Sequence, residues 1–191
     1  MKKILLFLAI AGFLFLIYWT SPMPPKNISL PNYANVQLLD LNSGGRTGRK
    51  LERVRDVVVH YVGNPGSSAQ GNRDWFNEPD TKVSSHFVIG LEGEVIQAIP
   101  LDERSSATNW RNKDTISIEV CHPDDSGKFN DETTASLVRL CAWLLETYRL
   151  DTDHLIRHYD VTEKECPRYF VTHPEAWVEF KALVHGRLGT S

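Results

Sequence analysis

The feature that most limits the fold is a β-branched run, Val57-Val58-Val59, within residues 54–61. Such a run is typical of a buried strand. Helix and strand signals then follow in turn along the chain. Residues 67–77 read as a short helix ended by Pro79, and residues 86–89 and 94–99 flank Glu92-Gly93 as a hairpin. Residues 115–121 alternate, with Ile116, Ile118 and Val120 on one face and Thr115, Ser117, Glu119 and Cys121 on the other. Residues 130–149 give the clearest helix, capped by Asn130 or Asp131, with Leu137, Cys141, Leu144 and Tyr148 along one face. Residues 155–158 read as a short strand. Thr172-His173-Pro174-Glu175 has capping-box spacing and opens a final helix, marked by Trp177, Phe180 and Val184 and stopped by Gly186. Strands interspersed with helices predict an α/β layered domain. A chain of 191 residues, 41% hydrophobic and 24% charged, suits one such domain plus an appendage and excludes collagen, coiled coil and full disorder.

The appendage is N-terminal. Lys2 and Lys3 precede sixteen uninterrupted apolar residues, 4–19, ending in Tyr18 and Trp19. As a helix the run would rise roughly 24 Å, a little short of a ~30 Å hydrocarbon core. It is longer than a usual signal h-region and is followed by Thr20-Ser21-Pro22, a poor cleavage site. Residues 1–20 therefore read as a signal anchor, with a cleaved signal peptide as the alternative. The lysines put the remainder of the chain outside the membrane. Residues 21–45, with Pro22, Pro24, Pro25 and Pro31, read as an extended linker. A formal net charge of -3 offers no basic footprint, so nucleic acid is not expected as a partner.

Three residues stand out as metal ligands. His60 ends one apolar strand, His158 ends another, and Cys166 follows in a polar loop. Borderline-soft zinc takes imidazole and thiolate, and a catalytic zinc site uses three protein ligands with a fourth position open to water. Spacing alone does not decide for this, because a single His or Cys at a strand end is usually structural.

The surrounding words add to the argument. Val57-Val58-Val59-His60, then Ser84-Ser85-His86-Phe87-Val88-Ile89, then Ser117-Ile118-Glu119-Val120, then Arg157-His158-Tyr159-Asp160-Val161-Thr162 with Lys164 and Cys166-Pro167 occur in that order. In this the chain resembles the type 2 N-acetylmuramoyl-L-alanine amidases, the family of phage T7-type lysozyme and the peptidoglycan recognition proteins. The resemblance implies a single α/β domain over residues 46–188, a central mixed β-sheet flanked by α-helices, preceded here by the N-terminal hydrophobic helix. It implies one zinc ion held by His60, His158 and Cys166, with Glu119 as general base and Lys164 on the reacting carbonyl oxygen. Two neutral imidazoles and a thiolate leave such a site near +1, and zinc lowers the pKa of water there to about 7. Other members use a tyrosine where this chain has Ser85, which puts more weight on Glu119. Many carry a histidine near the Ala107-Thr108-Asn109-Trp110 stretch, which has none.

The reaction so implied is hydrolysis of the amide between N-acetylmuramic acid and L-alanine in peptidoglycan, by a monomer at the cell membrane with its catalytic domain extracytoplasmic, or secreted if the leader is cleaved. Two other classes remain. One is a noncatalytic peptidoglycan-binding module of the same fold, although such relatives typically lack the cysteine ligand. The other is a metal-free cysteine peptidase using Cys166 and His158. Among the remaining residues, His86 reads as structural and His122 and His173 as surface or capping residues. His154, four before His158, would suit a helix pair, but Leu155-Ile156 reads better as strand. Cys121 and Cys141 read either as a disulfide or as two buried thiols. Trp75, Trp110 and Tyr169 are candidates to line a sugar-peptide groove.

Overall fold

The structure is a computed structural model and describes residues 28–190, so the N-terminal apolar run lies outside the described residues. Among the described residues no helix is long and apolar enough to cross a membrane. Six strands of the described residues build one sheet: β1 (Ala34–Val36), β2 (Asp56–Tyr61), β3 (Phe87–Ile89), β4 (Val95–Gln97), β5 (Thr115–Val120) and β6 (Leu155–Arg157). Their order is β1-β4-β3-β5-β2-β6. Only β3 and β4 pair antiparallel and every other neighbouring pair is parallel, so the sheet is mixed. The β3–β4 hairpin forms where Glu92-Gly93 predicts it. Gly93 sits at φ 78°, a left-handed conformation that suits glycine.

Helices cover both faces. On one, α2 (Asp131–Tyr148) and α5 (Pro174–Arg187), which pack on each other, share a buried cluster with Val57, Val59, Ile116, Ile118 and Val120. Asn130 caps α2 by accepting a hydrogen bond from the Thr133 N–H at 2.8 Å, and Leu137, Cys141, Leu144 and Tyr148 are all buried. On the other face, α1 (Ala69–Asn77) contributes Ala69 and Phe76 to a smaller cluster with Leu39, Val88, Ile96, Ala98 and Cys121. Because side chains alternate along a strand, Cys121 faces away from Val120 and hence away from α2, which carries Cys141. All three cysteines are free, so the thiol reading holds and the disulfide does not.

Three other expectations change. The sheet starts before the boundary placed at residue 46: β1 lies inside the stretch read as linker, and Leu39 is buried at 1% exposure. Its order comes from pairing with β4, sixty residues away, which a three-residue strand does not announce. The capping box at Thr172 does not form, because α4 (Arg168–Thr172) precedes α5 and Thr172 Oγ1 donates back to the Arg168 carbonyl at 3.1 Å. Gly186 lies within α5, and the positive φ of 77° falls at Gly189.

His86 holds this framework together. It is fully buried, its Nε2 lies 3.0 Å from the Glu103 carbonyl oxygen, and its Nδ1 accepts from the Ser117 N–H at 3.0 Å. Burial pushes its pKa down to about 4.

Two outcomes follow. A chain beginning at residue 46 should be less stable to urea than one beginning at residue 28 by at least about 2 kcal/mol, the scale of burying one leucine; equal midpoints would contradict the place given to β1. For His86, the unfolded chain takes up its proton at higher pH than the folded one. Stability from this residue is therefore complete above pH ~6.5 and falls as the pH drops towards ~4, by about 3 kcal/mol. Urea titrations of the protein and a His86→Gln variant should differ by that much in pH dependence over this range, and parallel curves would refute it.

Candidate active site

The site lies at the C-terminal ends of β2, β5 and β6. In the parallel register His60 is paired with Glu119, so their side chains stand side by side on the same face as Ser117. His158 follows β6 directly, and its N–H donates to the Val59 carbonyl at 3.2 Å. The chain then makes a short helix, α3 (Tyr159–Thr162), and turns at Glu163, whose φ is 60°. The Tyr159 N–H donates to the Cys166 carbonyl at 2.9 Å, which closes the loop on itself. Arg157 braces it, donating to both carboxylate oxygens of Asp160 and to the Phe170 carbonyl. Cys166 is thereby returned to His60, with Sγ 3.8 Å from His60 Nδ1.

The ligating atoms of His60, His158 and Cys166 all lie within 4.8 Å of one another, and all three residues are buried. The two imidazole rings are 4.6 Å apart between centroids. Each ring uses its Nε2 elsewhere: His60 Nε2 is 3.3 Å from Thr108 Oγ1, and His158 Nε2 is 2.9 Å from Asn109 Oδ1. His158 Nδ1 is buried without a partner, as is Glu119 Oε2. Glu119 Oε1 lies 4.0 Å from His60 Nδ1. Buried polar atoms are normally satisfied, and two orphans beside a thiol and a second imidazole are what a cation would complete. The donor set, two nitrogens and one sulfur, fits zinc and does not fit calcium or magnesium, which take oxygen ligands.

The electrostatics of the two imidazoles agree with that fit. Burial drives His60 well below the ordinary histidine range and brings His158 down to about 4, with the Lys164 charge acting in the same direction on both. Both imidazoles are thus neutral at pH 7, the form that ligates. Burial, reinforced by Glu119, pushes the Cys166 thiol up to about 12. Burial also raises Glu119 to about 8, against the opposing pull of Lys164.

A cleft of about 210 Å³ opens over the cluster. Its lining includes Glu119, Lys164 and Ser106, and its rim carries Trp75, which is 54% exposed. Of the three aromatic candidates, Trp75 lines this cleft. Trp110, also exposed, lines a separate adjacent cleft with Arg49, Arg104 and Lys113, which meets the first at Ser106. Tyr169 stands in neither cleft; it stacks on His173 at 4.2 Å. Ser85 is buried and donates to the Phe87 carbonyl at 2.7 Å, so it contributes nothing to the cleft. His122, expected at the surface, is buried, with its ring 5.1 Å from that of Tyr61. His154 lies 3.1 Å from Asp56 Oδ1, on a different errand from His158. Thr108, Asn109, Asn72 and Tyr61 are the site residues that no motif singled out as partners of the cluster.

Comparisons with known proteins identify the family. Residues 50–169 match the family model for N-acetylmuramoyl-L-alanine amidases of the Amidase_2 type. The N-acetylmuramoyl-L-alanine amidase BlyA of Bacillus subtilis is 31% identical over 171 residues, which covers 78% of this chain and 46% of the relative. CwlL of Bacillus licheniformis, of the same name, is 31% identical over 166 residues with the same two shares. The chain thus spans about half the length of the curated relatives it matches. Among solved structures, the catalytic domain of XlyA superposes with a TM-score of 0.69 at 25% identity, over 79% of this chain and 98% of that one. The Staphylococcus aureus hydrolase AmiA shares the fold, with a TM-score of 0.63 at 17% identity over 85% of this chain and 89% of that one. A sheet that brings two imidazoles, a thiol, a glutamate and a lysine to one cleft, and a family match over most of the described domain, make this chain a member of the type 2 N-acetylmuramoyl-L-alanine amidase family.

Proposed function

We propose that the chain hydrolyses the amide bond between N-acetylmuramic acid and L-alanine in peptidoglycan, with one zinc ion held by His60, His158 and Cys166. The observation that carries this reading is the convergence of three ligating atoms within 4.8 Å beneath a cleft that also contains Glu119 and Lys164. When bound, zinc would polarise the amide carbonyl and make water acidic near neutral pH.

The chain's own groups divide the remaining work. Burial raises Glu119 to about 8 in the metal-free site, and a cation seated beside it would favour the carboxylate, which is then suited to take a proton from the attacking water and pass it to the leaving amine nitrogen as the C–N bond breaks. Lys164 lines the same cleft, and its ammonium can donate to the carbonyl oxygen as negative charge builds there. Trp75 offers a flat, exposed ring to a sugar face. A metal-free thiol peptidase would need a thiolate nucleophile, and burial shifts the Cys166 thiol away from that form. Retention of Cys166 and Glu119 argues against a purely binding module. The reading places a monomeric domain outside the cytoplasmic membrane, held by residues 1–20 or released after their cleavage.

Zinc analysis together with release of L-alanine-started peptides from peptidoglycan tests this. Cys166→Ser should lose zinc and activity together. Glu119→Gln and Lys164→Ala should keep one zinc per chain, and the former should lose turnover by ~10²–10⁴-fold, the range typical of a lost acid–base group. Full activity in metal-stripped protein, or near-normal turnover of Glu119→Gln with zinc bound, would overturn the assignment.

A further inference from the structure

We infer that Asn109 is a positioning residue that fixes His158 in the tautomer able to bind metal; the inference rests on the zinc reading above. A neutral imidazole carries one N–H, and whichever nitrogen carries it has no lone pair for a metal. Asn109 Oδ1 lies 2.9 Å from His158 Nε2. An amide oxygen only accepts, so this contact requires the hydrogen on Nε2 and leaves the lone pair on Nδ1. That Nδ1 is buried with no partner, in a residue that offers one ligating atom to the cluster with His60 and Cys166. Turning the amide the other way would move the hydrogen to Nδ1, where it would block the ligand position.

The backbone is shaped for this contact. Asn109 has a φ of 53°, and asparagine tolerates the left-handed region better than other residues with a Cβ. The turn is braced on both sides: the Thr108 N–H donates to Asn112 Oδ1 at 2.6 Å, and the Asn112 N–H donates to the Asn109 carbonyl at 3.2 Å. One turn therefore delivers two consecutive side chains to two different ligands, since buried Thr108 places Oγ1 3.3 Å from His60 Nε2. The threonine contact is longer and its hydroxyl can either donate or accept, so it steadies the His60 ring without dictating its tautomer. Neither residue lines the cleft over the cluster; Asn109 lines the adjacent cleft with Trp110.

Two replacements of Asn109 separate the side chain from the backbone. Asn109→Gly suits the positive φ but removes the acceptor; Asn109→Asp keeps an acceptor-only oxygen. Two readouts on the intact chain are needed: the zinc dissociation constant, by competition with a chelator, and the imidazole ¹⁵N spectrum of the metal-free protein. We expect Asn109→Gly to bind zinc ~10–100-fold more weakly, the usual effect of losing a partner behind a ligating histidine, and to show His158 in mixed tautomers. Asn109→Asp should keep Nε2–H on His158 and affinity within a few-fold of the parent. An Asn109→Gly protein with unchanged zinc affinity and an unchanged His158 spectrum would overturn the inference, as would an Asn109→Asp protein as weak as the glycine variant. A parent protein that takes up no zinc while keeping Nε2–H on His158 would count against the zinc reading and leave the tautomer assignment standing.

Discussion

The pairing of β2 with β5 and β6 is the constraint on which the site depends. Parallel strands present their C-terminal ends at the same edge, so three segments distant in sequence deliver His60, Glu119 and His158 together. A slip of one residue in the β2–β5 register would move His60 or Glu119 to the face covered by α2 and α5. That register is held from the apolar side, where Val57, Val59, Ile116, Ile118 and Val120 are each fully buried. Hydrophobic packing on one face thus sets polar geometry on the other. His86 adds to it by tying the start of β3 to Ser117 and to the Glu103 carbonyl.

The arrangement is costly without a guest. An unpartnered buried polar atom carries a penalty of ~1–3 kcal/mol, and His158 Nδ1 and Glu119 Oε2 are two such atoms in one place. His60 and His158 are held neutral and the Cys166 thiol protonated by the same burial. On the proposed reading, a cation seated among them would take up the free lone pairs and displace the thiol proton, so metal affinity would feed directly into folding stability. The turn at Thr108 and Asn109 then belongs to the metal site as much as the ligands do.

Much of this was legible in the sequence because the relevant signals are local. The β-branched run before His60, the alternation of residues 115–121 and the Asn130-capped helix each follow from propensity and period, and each appears where expected. The cluster of His60, His158 and Cys166 was legible through motif words, since spacings of 98 and 8 residues carry no geometry of their own. Features set by distant contacts were not legible. β1 is three residues long and exists by pairing with β4. The burial of His122 depends on Tyr61 folding over it, and the displacement of Tyr169 depends on α4. Thr108 and Asn109 drew notice only as a stretch lacking a histidine, because a hydrogen bond to the far side of a ligand leaves no pattern in one sequence.

The central claim, one zinc bound by two imidazoles and a thiolate, is tested most directly by X-ray absorption at the zinc edge of the purified protein. One zinc per chain is expected, with a single sulfur at about 2.3 Å and two imidazole nitrogens at about 2.0–2.1 Å. A zinc shell without sulfur, or protein that fails to retain zinc while it cleaves peptidoglycan at the L-alanine amide, would contradict it.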